Sequence, residues 1–185
     1  MQIHTRNHFG LLCNSMNLLG NAIEIGVANG DFSFNFLSCW KGKLHCMVDC
    51  WSNQPQSEYK DSFNTNDQEQ EDRYQRVLRW SAPYGSRAKV MRMFSNQAAA
   101  TFPEGYFDFV YIDANHKYEA IKEDLALWYP LVRTGGVLAG HDYLDGELPT
   151  GSYGVKRAVE EMSKERGLKI NVVPEQWPSW WVIKP

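Results

Sequence analysis

A chain of 185 residues that is 43% hydrophobic and 22% charged has an ordinary globular balance and length enough for one well-filled core. Its 19 basic residues are scattered among 22 acidic ones for a net charge of −3, which excludes the broad basic face that grips nucleic acid. No run of 18 apolar residues is present, and the first twenty residues lack an apolar core with a small-residue cleavage site, so the expectation is one cytoplasmic domain over 1–185, with no membrane partner.

The elements alternate along the chain. Phe9, Leu12, Met16 and Leu19 recur at helical spacing, which predicts a short amphipathic helix within the N-terminal segment 1–20. NAIEIGV (21–27) is a short apolar run and predicts a strand. After the turn ANGD, Asp31 is placed to cap a helix over 31–40 that Lys41-Gly42 ends. KLHCMVD (43–49) predicts the next strand, which completes a crossover unit of parallel type. Residues 51–66 are polar and without period, a surface loop. A helix over 67–80 turns Tyr74, Val77, Leu78 and Trp80 inward and leaves Arg73, Arg76 and Arg79 on a solvated face. KVMRMF (89–94), FDFVYID (107–113) and VLAGHD (137–142) predict further strands, with a short helix after 94 and a longer one over 118–129. A Gly/Pro-rich loop (143–154) precedes a helix over 155–166. Two strands, 168–173 and 180–184, close the chain as an antiparallel hairpin. This alternation is an α/β fold of three layers with a mostly parallel sheet. Cys13, Cys39, Cys46 and Cys50 lack the paired spacing of a zinc site and are expected as buried free thiols.

Open α/β sheets bind ligands beyond the carboxyl ends of their strands, so the informative residues follow each strand. The first such loop is EIGVANGD (24–31), with glycines at 26 and 30 before a helix N-terminus. It lacks the middle glycine of the dinucleotide fingerprint and suits a ligand without a pyrophosphate. Asp49 ends the next strand, where a carboxylate can accept from both hydroxyls of a ribose. The later strands end in YIDANHKY (111–118) and GHDY (140–143). Asp113 and Asp142 end two strands able to lie side by side, and paired carboxylates repel unless a cation or a shared proton relieves them. A hard divalent cation would relieve them. The imidazole of His116 stands three residues beyond Asp113, with an ordinary pKa near ~6.5 that suits proton removal from a hydroxyl.

From about residue 21 onward, the acid, the spaced glycines and the second acid resemble the class I S-adenosylmethionine-dependent methyltransferases. YIDANHKYEAIKEDLALWYPLVRTGGVLAGHDY resembles their small-molecule O-methyltransferase branch, of macrocin and catechol type. The resemblance implies a Rossmann-like methyltransferase fold. It implies that Glu24 and Gly26 lie near the methionine part of S-adenosylmethionine, and that Ala28, Gly30 and Asp113 also bind the cofactor. It implies that Asp49 holds the ribose, that Cys50 and Trp51 flank the adenine, and that Ser95 meets its edge. Asp113, His141 and Asp142 become ligands of a divalent cation, Mg or Mn, and Asp113 and His116 the catalytic pair. His141 departs from the acidic or amide residue usual at its position, and an imidazole suits Mn, Fe or Zn better than Mg. Tyr143 adjoins this site.

The implied partner is a small molecule carrying a hydroxyl. The acceptor side is either shallow or completed by a second subunit in a homo-oligomer. Two other readings stand beside this one: a metal-independent methyltransferase with a histidine base, and a non-catalytic module that binds S-adenosylmethionine.

Overall fold

The computed structural model describes residues 3–57 and 59–185. Glu58, inside the loop expected over 51–66, and the first two residues of the N-terminal segment lie outside them. A seven-stranded sheet runs in the order β3-β2-β1-β4-β5-β9-β8. Its strands are β1 Asn21–Ile25, β2 Leu44–Asp49, β3 Ala88–Arg92, β4 Phe107–Ile112, β5 Val132–Gly140, β8 Asn171–Val173 and β9 Ser179–Ile183. The first five are parallel, and β9 enters antiparallel between β5 and β8. The order reverses between β1 and β4, which is where an open sheet of this kind leaves its crevice.

Six helices cover the sheet: α1 Phe9–Ser15, α2 Asp31–Cys39, α3 Asp67–Ser81, α4 Ser95–Ala99, α5 Tyr118–Trp128 and α6 Val155–Arg166. The two-residue period of a strand sorts the core. On β4, Phe109 and Tyr111 face α1 and α2, where they meet Phe9, Phe32 and Phe36. Val110 and Ile112 face the other way, toward Ile121 and Leu125 of α5 and Val155 and Val159 of α6. Every residue of β4 is buried, as a central strand covered on both faces requires. Burying one such apolar side chain contributes about 1.5–3 kcal/mol. Most of the buried indoles also find a polar partner. Trp40 donates to the Leu18 carbonyl at 2.8 Å and Trp128 to Ser95 Oγ at 2.8 Å.

The expected elements appear with three differences. The helix cap before α2 is Gly30, in a left-handed conformation with φ 85°, and Asp31 is the first helical residue with no capping bond. The stretch 143–154 forms a second, two-stranded sheet, β6 Asp145–Leu148 paired antiparallel with β7 Gly151–Gly154, because it carries two glycine-flanked extended runs around Pro149-Thr150. Strand β5 starts at Val132, ahead of Gly135-Gly136, since its first residue already pairs with Phe107.

One close approach ties the first loop to the end of β4. Gly26 has φ 86°, and a β-carbon there would stand 2.0 Å from the Asp113 carbonyl oxygen. The Asp113 amide in turn donates to the Ile25 carbonyl at 2.7 Å. Only glycine meets both the backbone angle and the spacing. Gly26→Ala is therefore expected to lower stability by about 2–4 kcal/mol. Urea unfolding reads this as an earlier midpoint with an unchanged slope, and an unmoved midpoint would show that the two strand ends do not touch.

Candidate active site

A cavity of about 980 Å³ opens over the carboxyl ends of β1, β2, β4 and β5, at the upper end of the range for small-molecule sites. The β1–α2 loop, Asp49, Ser95, Asp113, His116, His141 and Asp142 all line it. Its roof comes from the 51–66 loop, the β6–β7 hairpin, the β8–β9 loop and the N-terminal segment, through Asp61, Tyr153, Trp177 and Arg6 respectively. Of the four non-glycine residues in the left-handed region among the described residues, three lie at this end of the sheet: Ala28 with φ 46°, Trp51 with φ 39° and Asp142 with φ 49°; the fourth, Asn17, precedes β1. Such backbone costs energy and persists mainly where surrounding structure enforces it, as at binding sites.

On the β1 and β2 side, the Asp49 carboxylate organises the first loop. Its Oδ2 accepts from the Val27 and Ala28 amides, each at 2.9 Å, and its Oδ1 from the Trp51 amide at 2.8 Å. A carboxylate has about four acceptor positions, so one stays free for a ligand hydroxyl. Glu24 is buried at the cavity floor. Its carboxyl accepts from Ser33 Oγ, whose oxygen also lies 2.8 Å from His45 Nε2. Burial pushes the Glu24 carboxyl well above the usual range, against the Ser33 hydrogen bond, and drives His45 down to about 3.

Two expected cofactor contacts sit elsewhere. Trp51 is fully buried beneath the first loop, beside Leu37 and Val77, and its indole N–H donates to the Ala28 carbonyl at 3.0 Å. It props the loop from below and does not line the cavity, because the sheet-to-α3 interface takes the indole. Cys50 does line it, and the exposed phenyl rings among the lining residues are Phe63 and Phe94. Gly30 also lies off the wall, packed near Val77 as the cap of α2. Ser95 lines the cavity, but its hydroxyl is held by Asp124, to which it donates, and by Trp128. Burial raises the Asp124 carboxyl to about 6, against the Ser95 hydrogen bond.

The β4 and β5 side is a cluster of carboxylates and imidazoles. Asp113, His141 and Asp142 each bring one ligand atom within 4.8 Å of the others. His141 Nδ1 lies 3.2 Å from Asp142 Oδ1 and 3.7 Å from Asp113 Oδ1. Donors on bonds of about 2.1 Å stand roughly 3.0–3.5 Å apart, so this donor set fits a divalent cation. His116 completes the cluster. Its Nε2 lies 3.0 Å from Asp142 Oδ2 and 3.6 Å from Asp113 Oδ1, and its Nδ1 lies 3.5 Å from Asp61 Oδ2. The Nε2–Asp142 contact is an ion pair out of line for a hydrogen bond. Burial lowers the His116 pKa, but the three carboxylates outweigh it and hold the ring well above its ordinary value. The surrounding carboxylates thus favour the protonated ring over the neutral imidazole expected from the sequence. Burial pushes Asp142 up, but the two imidazoles outweigh it and keep it below the usual carboxylate range. The His116 ring stacks on Tyr153 at 5.1 Å, and Tyr153 on Trp177 at 5.8 Å.

Tyr143 turns away from the site, with its hydroxyl on Glu160 at 3.1 Å. Arg73, expected on a solvated face, lines the cavity and covers the Phe63 ring at 5.2 Å. Wall residues absent from the expectations include Arg6, Asp61, Tyr153 and Trp177. Arg6 Nη1 donates to Asp113 Oδ2 at 3.0 Å. The signals for them were faint: Thr5 as a cap before Arg6, an acid in a polar loop, and aromatics in segments rich in Gly and Pro.

Comparison with known proteins bears on this arrangement. The family model described as a methyltransferase domain matches residues 23–143, which runs from β1 through the GHDY stretch. No curated protein matches the chain by sequence. Among solved structures, the chain is similar to a putative caffeoyl-CoA O-methyltransferase from Staphylococcus aureus, with 15% identity over 99% of this chain and 84% of that one, and a TM-score of 0.68. An O-methyltransferase from Bacillus cereus in complex with SAH gives 17% identity over 99% and 84%, with a TM-score of 0.67. A Burkholderia thailandensis 1,6-didemethyltoxoflavin-N1-methyltransferase with bound S-adenosylhomocysteine gives 13% over 98% and 79%, with a TM-score of 0.61. At these identities the likeness is one of fold, and it spans methylation of oxygen and of nitrogen.

Asp124 gives a test of the wall chemistry. Its folded pKa lies above the unfolded value of 3.8, so its contribution favours folding at low pH and is lost as pH rises from about 4 to about 6. Asp124→Asn keeps an acceptor for Ser95 and removes the buried charge. It is expected to stabilise the protein at pH 7 by roughly 1–3 kcal/mol and to leave it unchanged near pH 4. Denaturant unfolding at the two pH values checks this, and equal effects at both would refute the assignment.

Proposed function

The chain belongs to the methyltransferase-domain family and is an S-adenosylmethionine-dependent methyltransferase, and from that premise we propose that it methylates a hydroxyl oxygen of a small molecule with the help of a divalent cation. The observation that carries the reading is the meeting of Asp113, His141 and Asp142 beside the β1–α2 loop in one cavity. S-adenosylmethionine carries its methyl group on a sulfonium, and in-line attack by the acceptor oxygen would form the O–CH3 bond as the C–S bond breaks, with S-adenosylhomocysteine leaving as the neutral thioether. A divalent cation on Asp113, His141 and Asp142 would supply Lewis acidity to that oxygen. The imidazole of His141 in this ligand set favours Mn, Fe or Zn over Mg.

The chain's own residues provide position and charge. Glu24, Gly26 and Ala28 form the floor and wall for the methionine end, and Asp49 offers its remaining acceptor position to a ribose hydroxyl. Asp113 joins the two halves, since its backbone touches Gly26 and its Oδ1 faces His141. Asp61 and Tyr153 fix the His116 ring from its edge and its face. His116 is the proton acceptor in this reading. With Asp113 and Asp142 holding a cation, their pull on the ring would weaken, and a neutral His116 would have a nitrogen free to take the hydroxyl proton. Holding two reactants in line this way contributes a large share of the rate in such transfers.

The roof over His116 favours a small acceptor, because Tyr153, Trp177 and the 51–66 loop close over the cluster. The cavity wall is also rich in acid: Glu24, Asp49, Asp61, Asp113 and Asp142 all line it. That charge suits a sulfonium and disfavours a polyanionic acceptor.

Calorimetry with S-adenosylhomocysteine is the first test, and absence of binding would sink the assignment. Asp49→Ala is expected to weaken binding by about tenfold or more, since it loses both the ribose contact and the loop amides. Asp142→Ala is expected to abolish Mn²⁺ binding and methyl transfer while changing S-adenosylhomocysteine affinity by less than about threefold. Transfer that persists in excess EDTA would favour the metal-independent mechanism with a histidine base. Cofactor binding without turnover of any hydroxyl acceptor would favour the non-catalytic module.

A further inference from the structure

The N-terminal segment places a guanidinium at the junction of β1 and β4. Arg6 sits in a 3-10 turn, Arg6–His8, capped by Thr5. Glu175, in the β8–β9 loop, clasps this turn with both carboxylate oxygens. Oε1 accepts from the Arg6 amide at 2.7 Å and from Ser179 Oγ at 3.0 Å, and Oε2 accepts from Thr5 Oγ1 at 2.9 Å. The backbone of Arg6 is therefore fixed from the far end of the chain, and its side chain, 29% exposed, reaches into the cavity.

The guanidinium meets Asp113 on one oxygen. Nη1 donates to Oδ2, while Oδ1 of the same carboxylate faces His116 and His141. Arg6 thus leaves the oxygen that faces the cluster free. A guanidinium has five donors, and Asp113 takes one. Glu24 lies within electrostatic reach, and the buried Tyr111 hydroxyl lies beside Arg6.

This corner is where the methionine end of the cofactor belongs, since Glu24, Gly26 and Asp113 meet here. That end carries an ammonium and a carboxylate. Glu24 and Asp113 suit the ammonium and the neighbouring sulfonium. Asp113 repels a carboxylate unless a cation stands beside it. Among the described residues lining the cavity, the guanidiniums are Arg6 and Arg73, and Arg73 is committed to Phe63, whose ring it covers and whose carbonyl accepts its Nη1 at 2.6 Å. A planar guanidinium also matches a carboxylate with two parallel hydrogen bonds.

We propose that Arg6 binds the α-carboxylate of S-adenosylmethionine and that Glu175 is the positioning residue that holds Arg6 in place. The proposal rests on the methyltransferase reading above and adds the residue that recognises the amino-acid end of the methyl donor.

The test compares two ligands by calorimetry on the intact chain. S-adenosylhomocysteine carries the carboxylate, whereas 5′-methylthioadenosine keeps the nucleoside and the thioether without the amino-acid end. Arg6→Ala is expected to weaken S-adenosylhomocysteine roughly 10- to 100-fold, the range for losing hydrogen bonds between charged groups, and to leave methylthioadenosine within about threefold. Arg6→Lys is expected to recover part of the loss, and Glu175→Gln to show a smaller loss of the same selectivity. Arg6→Gln carries the comparison if Arg6→Ala melts early. Equal weakening of both ligands would overturn the proposal, because Arg6 would then act through the shape of the pocket. Unchanged affinity for both would overturn it as well. If the unsubstituted chain binds neither ligand, the methyltransferase reading itself falls and the proposal falls with it.

Discussion

The approach of the Gly26 backbone to the Asp113 carbonyl is the contact on which the rest of the cavity depends. A β-carbon at Gly26 would stand 2.0 Å from that oxygen, so β1 and β4 exit the sheet with almost nothing between them. This puts the first loop, which Asp49 holds through three amides, directly against the strand end that carries Asp113. Because β4 also pairs with β5 up to Gly140, Asp142 follows within two residues of the ladder's end. The cradle and the carboxylate–imidazole cluster are therefore in fixed register. Neither needs a side chain to hold it against the other, because backbone hydrogen bonds and one glycine do so.

That rigidity concentrates charge. Asp49, Asp61, Asp113 and Asp142 share one cavity, and like charges this close raise each other's energy unless cations intervene. The structure answers with basic groups at two places. Arg6 lies on one side of Asp113, and the imidazole of His116, drawn toward its protonated form, lies on the other. The opposite shifts at His116 and Asp142 express one balance, since the imidazolium is held by the carboxylates it relieves. A cavity with this surplus of acid draws cationic ligands, and both a sulfonium and a divalent ion are cations. The wall therefore suits the donor and the metal by the same arithmetic of charge, while the donor's own carboxylate becomes the group that needs separate provision.

Much of the sheet and of its informative end was legible in the sequence. Strand runs such as FDFVYID, helices with a 3.6-residue stripe and the glycines after β1 are local signals, and local signals survive without a structure. The residues that end strands share a side of the sheet by topology, which is why Asp49, Asp113, His141 and Asp142 could be grouped before any coordinates. What escaped depends on distance along the chain. Arg6 meets Asp113 across 107 residues and Glu175 across 169, and no period or motif encodes such a pairing. Trp51 escaped for a different reason. Its position after β2 suggested a stacking face, but a left-handed φ of 39° and the space beside Val77 and Leu37 draw the indole into the core. The ionisation of His116 was equally illegible, because it is set by three carboxylates from three separate segments.

The two sides of the cavity are built differently, and this bears on how the fold accommodates different acceptors. The donor side consists of strand ends fixed by ladder hydrogen bonds and by backbone angles that few residues tolerate. The acceptor side is assembled from the 51–66 loop, the β6–β7 hairpin, the β8–β9 loop and the N-terminal turn, held by side chains such as Lys117, which reaches the Ser57 carbonyl at 2.9 Å, and Glu175. Loops tolerate change far better than a sheet does, since little core packing depends on them. Substitutions on the roof can therefore reshape the space above His116 without moving Gly26, Asp49 or Asp113. The exception is the N-terminal turn. Arg6 touches Asp113 while Glu175 ties it to the β8–β9 loop that carries Trp177, so a change in that loop reaches the donor side through the arginine. Roof and floor are thus coupled at one point, beside the carboxylate that both halves of the site share.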